Sequence, residues 1–285
     1  MEIIIKSEAC CDDVLTDVLI DRVGERPGIR KNQPYEPIHD IEAAEIQNVI
    51  QAHIITRPDI ATAERALLSI EGIRKFYRRL KPPSQMHFRG HLRRYLQTYL
   101  ADCPFDITST NRYDPDREDA SITARRHIPR GSTVAYLNGY KVYVSPEEED
   151  TITNTGMDFS IVYSTYKKRN YIFLGPARFV NHDCDPNAEL ASNGDEIRVT
   201  TTKAIDPAEE ITLYYGEHYF GKYNSECLCA TCEKEGLNGW AGKGRQPGDY
   251  KATLPRITKI TYIPKPDCLV VGCRRERLAV GHKRD

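Results

Sequence analysis

The arrangement of cysteines near the end of the sequence constrains the fold more than any other feature does. Cys227, Cys229 and Cys232 form a C-x-C-x-x-C run, which places three thiols within a few residues of one another. Structural zinc sites are tetrahedral and take four cysteine or histidine ligands. The run is therefore one ligand short, and a fold that completes the set must bring a distant segment to it.

Cys184 is the best candidate for the fourth ligand. It lies well upstream, in the dense polar stretch FVNHDCDPNAEL at 179–190. The alternative is that the clustered thiols are free on a turn, but buried structural cysteines do not usually cluster so tightly. The remaining cysteines lie in a helical region or in the tail: Cys10, Cys11, Cys103, Cys268 and Cys273.

The N-terminal stretch MEIIIKSEACCDD lacks the pattern of a signal peptide. We therefore expect a reducing compartment, in which clustered cysteines bind metal rather than form disulfides. With 285 residues, of which 40% are hydrophobic and 28% are charged, the chain can bury a sizeable core. No stretch approaches the roughly 20 apolar residues that a bilayer span needs, so we expect no membrane partner. The net charge of −1 does not suggest wholesale DNA binding.

Helical periodicity dominates residues 1–102. Apolar residues recur at helical spacing in three segments, which are 40–55, 61–80 and 88–100. Pro82 and Pro83 are expected to stop the second of these helices, because proline removes a backbone donor and clashes with the preceding turn. The sequence therefore predicts a helical N-terminal part.

Short β-rich runs follow residue 103. FDITST, STVAYLNG, KVYV, FSIVYST and NYIFLG alternate with turn signals. The clearest hairpin is AELASNGDEIRVTTT, in which Asn193 and Gly194 are expected to supply the two positive-φ positions of a type I′ turn. The absence of βαβ alternation and of a G-x-G-x-x-G loop argues against a Rossmann cofactor domain. These patterns predict an α+β chain with several small sheets.

Three motifs in a fixed order carry a family resemblance. They are N-H-x-C at 181–184, E-E-I-T-x-Y-Y-G at 209–216 and the C-x-C-x-x-C run. Together they resemble the SET-domain protein lysine methyltransferases that have a post-SET zinc site. FLGPARFVNHDCDPN, YYGEHYFG, DFSIVYST and ATCE are similar to the suppressor-of-variegation 4-20 type, which methylates lysine-20 of histone H4. The similarity runs from about Met86 to Glu233, with a weaker patch at CCDDVLTDVLIDRV.

The resemblance implies an architecture, two cofactors and a partner. The expected parts are a helical bundle at 1–102, a β-rich SET domain at 103–222, a post-SET zinc arm at 223–236 and a loose basic tail at 237–285. The methyl donor would be S-adenosylmethionine. One structural Zn²⁺ would be held by Cys184, Cys227, Cys229 and Cys232. The implied substrate is the histone H4 tail on the nucleosome, which implies a location in the nucleus, on the chromosome.

The resemblance also assigns the reacting groups. Tyr215, the last tyrosine of E-I-T-L-Y-Y, would hold its hydroxyl beside the transferring methyl and the lysine amine. Asn181 and His182 would hold the cofactor. The amine must react as the neutral form, although its reference pKa is about 10.4. Desolvation in an aromatic-lined channel and a nearby sulfonium both favour that form, so no dedicated general base is required.

Further positions follow from the same resemblance. The cofactor contacts would include Tyr113, Asp114, Pro115, Asp116, Ala120, Phe220 and Leu228. The lysine channel would be lined by Ser160, Leu213 and Tyr214. Phe220 and Tyr214 could instead be core residues, and Ser160 an ordinary strand hydroxyl. The sequence departs from many SET domains at DREDASITARR, where a glycine pair is common in the family.

Two other functions compete with that of an active histone lysine methyltransferase. A catalytically silent SET module would bind chromatin or a partner protein. Leu213, where many relatives have an aromatic residue, and the lack of aromatic residues in DRVGERPGIRKN favour this reading. The presence of Tyr215, Asn181, His182 and all four expected zinc ligands favours activity. A zinc hydrolase is disfavoured, because four thiolates leave no open metal position for water.

Charged segments suggest two contacts. The acidic stretch SPEEEDT at 145–151, with Glu209, Glu210 and Glu217, could face a basic histone tail, although such a run is more often only solvated. The basic tail from Arg274 to Arg284 could make weak contacts with DNA phosphates, or it could be a solvated end.

Overall fold

A computed structural model describes residues 4–24, 29–32, 35–113, 119–154, 161–164, 168–241 and 260–262 of the chain. The helices are α1 (Ile4–Thr16), α2 (Arg22–Gly24), α3 (Ala43–Ile50), α4 (Ile60–Ser69), α5 (Glu71–Arg79), α6 (Pro82–Gln97), α7 (Pro146–Asn154) and α8 (Ala230–Glu235). The strands are β1 (Phe105–Thr110), β2 (Asp119–Ala124), β3 (Thr133–Val144), β4 (Ile161–Ser164), β5 (Arg169–Leu174), β6 (Asn181–His182), β7 (Ala188–Asn193), β8 (Glu196–Thr201), β9 (Thr212–Leu213) and β10 (Ile260–Tyr262). The predicted α+β class, with helices before a β-rich part, is confirmed.

Two of the helix boundaries expected from the sequence are wrong. The segment 61–80 forms α4 and α5 rather than one helix, because the backbone at Ile70 is extended (φ −62°, ψ 132°). Gly72 follows this break and lies against the chain before α3, where a side-chain carbon would come within 2.2 Å of His39 O. The helix expected over 88–100 begins earlier, at Pro82.

Pro82 and Pro83 end one helix and begin the next. They stop α5, as expected, but they also occupy the first turn of α6. Proline is tolerated there because the first backbone N–H groups of a helix have no intrahelical acceptor. Local chemistry also places the start of α4, where Asp59 accepts a hydrogen bond from Thr62 N at 2.9 Å. The described helices include none with the length and apolarity that a membrane crossing requires.

The strands form one larger and two small sheets. The larger sheet has the order β10-β4-β5-β3-β8-β7, β1 pairs with β2, and β6 pairs with β9. The hairpin of β7 and β8 is confirmed, but its turn is displaced by one residue. Asn193 pairs with Glu196, so Gly194 and Asp195 are the central residues. Gly194 has a φ of 61°, and positive φ at the first central position alone is the pattern of a type II′ turn rather than type I′.

The N-terminal helices pack directly on the β-rich part. α1 and α6 both contact β3, and one continuous core contains Phe88 and Tyr95 of α6 together with Phe105 and Leu137 of the strands. All four of these side chains are fully buried. The helices therefore share their hydrophobic core with the sheets.

A buried polar cluster lies where the helices meet the strands. Asp12 of α1 is 0% exposed. Its carboxylate lies 2.9 Å from Nε of Arg178 and 2.6 Å from Nε2 of His91. It also accepts hydrogen bonds from Tyr95 OH at 2.8 Å and from Gly175 N at 3.1 Å. Arg178 lies in the 3-10 turn Pro176–Phe179, so this cluster ties α1 and α6 to the segment just before β6.

The charge on Asp12 is stabilised despite its burial. Burial alone would raise the pKa of Asp12, but the Arg178 guanidinium and the hydrogen bonds from His91 and Tyr95 outweigh it and hold the pKa well below its usual range. Arg178 also donates to Thr16 Oγ1 and to Arg30 O, each at 3.2 Å. Further hydrogen bonds thus support the ion pair, as the burial of a charge requires.

Replacement of Asp12 by Asn should lower the free energy of unfolding by about 3–5 kcal/mol, because it leaves the Arg178 charge buried without its anion. Asp40→Asn is the matched control. Asp40 pairs with Lys75 at 2.7 Å, but both side chains are 53% exposed, so its loss should cost less than about 1 kcal/mol. Urea denaturation followed by circular dichroism measures both, and equal effects would contradict the role given to Asp12.

Asp13 should make stability depend on pH. Burial raises its pKa to about 7, although Arg178 and hydrogen bonds from Asn32 oppose the shift. The unfolded value is about 3.9, so the folded chain holds a proton that the unfolded chain releases. This contribution to stability is complete below about pH 4 and is lost as the pH rises through 7. Asp13→Asn should remove that slope from urea denaturation curves, and a slope that persists in the variant would refute the assignment.

Candidate active site and metal centre

Parallel pairing of β6 with β9 forms the centre of the site. Asn181 lies opposite Thr212, and His182 lies opposite Leu213. Asp183 N extends the pairing by donating to Leu213 O at 2.9 Å. The pairing holds the N-H-x-C motif directly beside the E-I-T-L-Y-Y motif, although the two are distant in sequence.

His182 is a buried, neutral imidazole. It is 1% exposed, and burial lowers its pKa to about 4, which the nearby Asp183 carboxylate only partly opposes. Its Nδ1 accepts a hydrogen bond from Tyr215 N at 3.2 Å, so we assign the ring proton to Nε2. Nε2 lies 3.4 Å from Cys184 Sγ. His182 therefore links Tyr215 to the cysteines.

The hydroxyl of Tyr215 is held in place from two sides. It donates to Val180 O at 2.5 Å, and its ring packs edge-on against Tyr219 at a centroid distance of 4.8 Å. Burial raises the pKa of Tyr215 well above its usual value, and the nearby Tyr219 and Glu210 raise it further. The hydroxyl is therefore protonated at neutral pH, and its oxygen can still accept a hydrogen bond.

Asn181 is bound by a carboxylate that sequence reasoning assigned to the acidic surface. Asn181 Nδ2 donates to Glu210 Oε1 at 2.9 Å and to Ala120 O at 3.0 Å. Burial raises the pKa of Glu210, although Asn181 and Arg112 oppose the shift. Glu210 therefore faces the site. The signal that could have revealed it was its place within the E-E-I-T-x-Y-Y-G motif.

Aromatic side chains cover the other side of His182. Tyr113 OH donates to His182 O at 2.5 Å, and the Tyr113 ring stacks on Phe220 with centroids 6.0 Å apart and planes 9° apart. The Phe220 ring lies 5.1 Å from that of His182. Tyr113 and Phe220, both expected to contact the cofactor, thus lie against His182, which is also expected to contact it.

The remaining residues expected at the cofactor site and the lysine channel differ in exposure. Leu213 and Leu228 are buried, whereas Tyr214 is 50% exposed, with its ring 5.6 Å from that of His182. Asp114, Pro115, Asp116 and Ser160 lie outside the described residues.

Sequence reasoning did not assign two asparagines that hold the loops of the site. Asn187 accepts from Thr212 N at 2.8 Å and donates to Glu210 O at 2.8 Å. Asn224 donates to Gly216 O at 2.8 Å in the next loop. The sequence signal for both is weak, because asparagine is common in exposed turns and nothing local marks these two as buried.

The four cysteines that were predicted to be metal ligands lie close to one another. Cys184 Sγ lies 3.8 Å from Cys227 Sγ and 3.5 Å from Cys232 Sγ. Cys229 Sγ accepts from Cys184 N at 3.4 Å and from Cys232 N at 3.5 Å. Zinc binds sulfur at about 2.3 Å in a tetrahedron, which sets the sulfurs about 3.8 Å apart. The spacing therefore fits a tetrahedral metal ion.

Five side chains, those of His182 and the four cysteines, lie close enough to be candidate ligands, whereas a tetrahedral metal ion takes four. Ligand atoms of His182, Cys184, Cys227 and Cys229 lie within 4.8 Å of one another, while Cys232 also contacts Cys184. With the ring proton on Nε2, the imidazole suits a metal less well than the thiol of Cys232 does. Burial, with hydrogen bonding and charge from the neighbouring thiols, raises the pKa of Cys184. A bound cation would reverse this shift by displacing the proton.

The cysteine cluster joins α8 to the site. Cys229 caps α8, and Thr231 N donates to Asp183 Oδ2 at 3.3 Å. Arg112 forms an ion pair with Glu233 of α8. These contacts attach α8 next to β6 and close to Tyr113.

Comparison with known proteins agrees with these motifs. A family model described as SET domain matches residues 39–216. The relatives include histone-lysine N-methyltransferases set9 of Neurospora crassa (45% identical over 251 residues), SET9 of Chaetomium globosum (47% over 238) and set9 of Aspergillus terreus (43% over 256). The alignments cover 87%, 82% and 89% of this chain and 32%, 32% and 41% of the relatives, respectively. The chain thus spans between about a third and two-fifths of the length of the curated relatives it matches.

Cys184→Ser and Cys232→Ser should each lose bound metal, because each removes one of four sulfur ligands. Cys103→Ser is the control, since this buried cysteine contacts Phe105 O at 3.3 Å instead of the cluster. Plasma emission spectroscopy of the purified chains gives metal content per protein. Full metal content in Cys232→Ser, with loss in a His182→Gln variant, would show that the imidazole is the ligand.

Proposed function

The chain belongs to the SET-domain family, and from that premise we propose that it transfers methyl groups from S-adenosylmethionine to lysine-20 of histone H4. The names of its relatives support a histone lysine as acceptor, and the stretches similar to the suppressor-of-variegation 4-20 type support histone H4. One observation carries the proposal. The pairing of β6 with β9 sets Asn181, His182 and the Tyr215 hydroxyl side by side.

The residues around β6 fit a cofactor with both polar and flat parts. Asn181 and the backbone at His182 would bind polar groups, while Tyr113, Ala120, Phe220 and Leu228 would surround the adenine. Glu210 brings negative charge next to Asn181, which suits a cofactor that carries an ammonium and a sulfonium. Asp114, Pro115 and Asp116 are proposed to complete this side. When bound, S-adenosylmethionine supplies an activated methyl group.

The acceptor lysine would enter between Leu213, Tyr214 and Ser160. Apolar and aromatic surroundings lower the pKa of a lysine amine, and the neutral hydroxyl of Tyr215 can accept a hydrogen bond from that amine and orient its lone pair. His182 would not act as the base, because its Nδ1 accepts a hydrogen bond from Tyr215 N and its Nε2 faces Cys184. Positioning of the two reactants would then supply most of the acceleration.

We propose zinc as the metal, held by Cys184, Cys227, Cys229 and Cys232. Four thiolates form a closed structural site without a position for substrate. Its role would be to fix the arm, and with it Leu228, against the cofactor. Binding free energy of the metal then becomes folding free energy of the arm.

The proposal includes the division of the chain into domains and its location in the cell. The helical domain would cover 1–102, the SET domain 103–222, the arm 223–236 and the basic tail 237–285, which could add weak contacts with DNA phosphates. Action on the histone H4 tail of nucleosomes would place the protein in the nucleus, on chromosomes.

Tyr215→Phe should reduce kcat on nucleosomes by about 100-fold or more, since one positioned hydroxyl in an active site contributes on this scale. The dissociation constant for S-adenosylmethionine should change little, because the variant keeps the ring. Transfer of a labelled methyl group gives the rate, and mass spectrometry identifies the modified lysine. Tyr143→Phe, at a tyrosine of β3 that is 45% exposed, is the control.

Several results would contradict the proposal. Undiminished transfer by Tyr215→Phe would remove the role of the hydroxyl. Undiminished transfer to nucleosomes with lysine-20 replaced by arginine would move the acceptor elsewhere. Cofactor binding by the wild type without any transfer would favour the catalytically silent module.

A further inference from the structure

Positive charge is concentrated in one hairpin of the helical domain. The chain as a whole has a net charge of −1, but residues 72–101 contain eight Lys and Arg and no Asp or Glu. This segment covers most of α5 and all of α6. The near-zero net charge of the chain therefore conceals a strong excess of positive charge in this segment.

The packing of the hairpin leaves most of its cations at the surface. Phe88 of α6 packs against Phe76 and Tyr77 of α5, at centroid distances of 5.5 and 5.9 Å. Gln85 Nε2 closes the connection by donating to Tyr77 O and Leu80 O. The outward cations, here called the basic face, are Arg74, Lys75, Arg78, Arg79, Lys81, Arg89 and Arg93.

Nearby acids do not neutralise the basic face. Glu64, which is buried, pairs with both Arg89 and Arg93, whose side chains remain 46% and 50% exposed. Asp40 and Glu71 pair with cations at the start of α5. Arg78 and Arg79 are exposed, and neither has an acidic partner among the residues that the structure describes. Cations outnumber acids across the whole face.

The chemistry of the face suits phosphates better than a protein partner. Protein interfaces have an apolar or aromatic centre, whereas Met86 is the one large hydrophobic side chain that is exposed on the described α5 and α6. Exposed guanidinium groups on helices are typical of contacts with a phosphate backbone. Negative charge lies elsewhere, as in the three glutamates in the first turn of α7.

We propose that the basic face binds the phosphate backbone of double-stranded DNA. This inference goes beyond the proposed methyl transfer and stands without it. Binding is independent of base sequence, since the face offers cations rather than a helix shaped for groove readout. Its affinity falls steeply with salt, because each phosphate contact releases counterions.

The test compares two charge reversals in the full chain. Arg78→Glu with Arg79→Glu should weaken binding to a labelled duplex of about 20 base pairs about tenfold or more, and should lower the slope of log affinity against log salt by about 2. Arg130→Glu with Arg198→Glu is the control, because it makes the same charge change at exposed positions on the β-rich part. Fluorescence anisotropy between about 50 and 200 mM salt measures both.

Binding of the control close to that of the wild type, with weakened binding of the first variant, supports the proposal. The proposal is overturned if the wild type does not bind the duplex, or if both variants weaken equally. It is also overturned if the first variant loses affinity for nucleosomes but not for duplex DNA, since the partner would then be an acidic protein surface. Methyl transfer to free histone H4, measured in parallel, reports on the proposed reaction alone and should be unchanged in both variants.

Discussion

The ion pair between Asp12 and Arg178 is the interaction on which the rest of the structure depends. Arg178 lies in the turn that leads into β6, so its partner on α1 determines how the N-terminal helices meet the site. His91, Tyr95 and Gly175 N also bind Asp12. A charge pair without water is tolerated only when such partners are in place, so helices, sheet and turn must come together as one unit.

A second anchor follows closely in the sequence. Arg178 precedes Asn181 and His182, and Cys184 follows them, so one short segment is held by an ion pair at one end and by the cysteine cluster at the other. The neutral His182 between the anchors contacts both Tyr215 and Cys184. Under the proposed function, a metal with no open coordination position would act by positioning groups that do not touch it.

Parts of this molecule could be predicted from sequence because their signals are local. Helical periodicity, β-rich runs and the spacing of the cysteines each reflect neighbouring residues, and the observed helices, sheets and sulfur cluster agree with them. The incorrect predictions concern positions whose local structure depends on contacts with residues far away in the sequence. The break at Ile70 accompanies the packing of the chain near His39 on Gly72, and the hairpin turn is shifted because strand pairing sets its register. Glu210 has the sequence signature of a surface residue, but Asn181 donates a hydrogen bond to it in the site.

The class of fold, the order of its parts, the family motifs and the cysteines that can bind a metal all follow from the amino-acid sequence. The folded structure was needed to show that Asp12 pairs with Arg178, that a neutral His182 links Tyr215 to the cysteines, and that the cations of α5 and α6 lie at the surface. The physical reason is that burial and charge pairing depend on residues far apart in the chain. A carboxylate, an imidazole or an arginine has the same local signature whether it is solvated or enclosed, and its environment sets its pKa, its partners and its role.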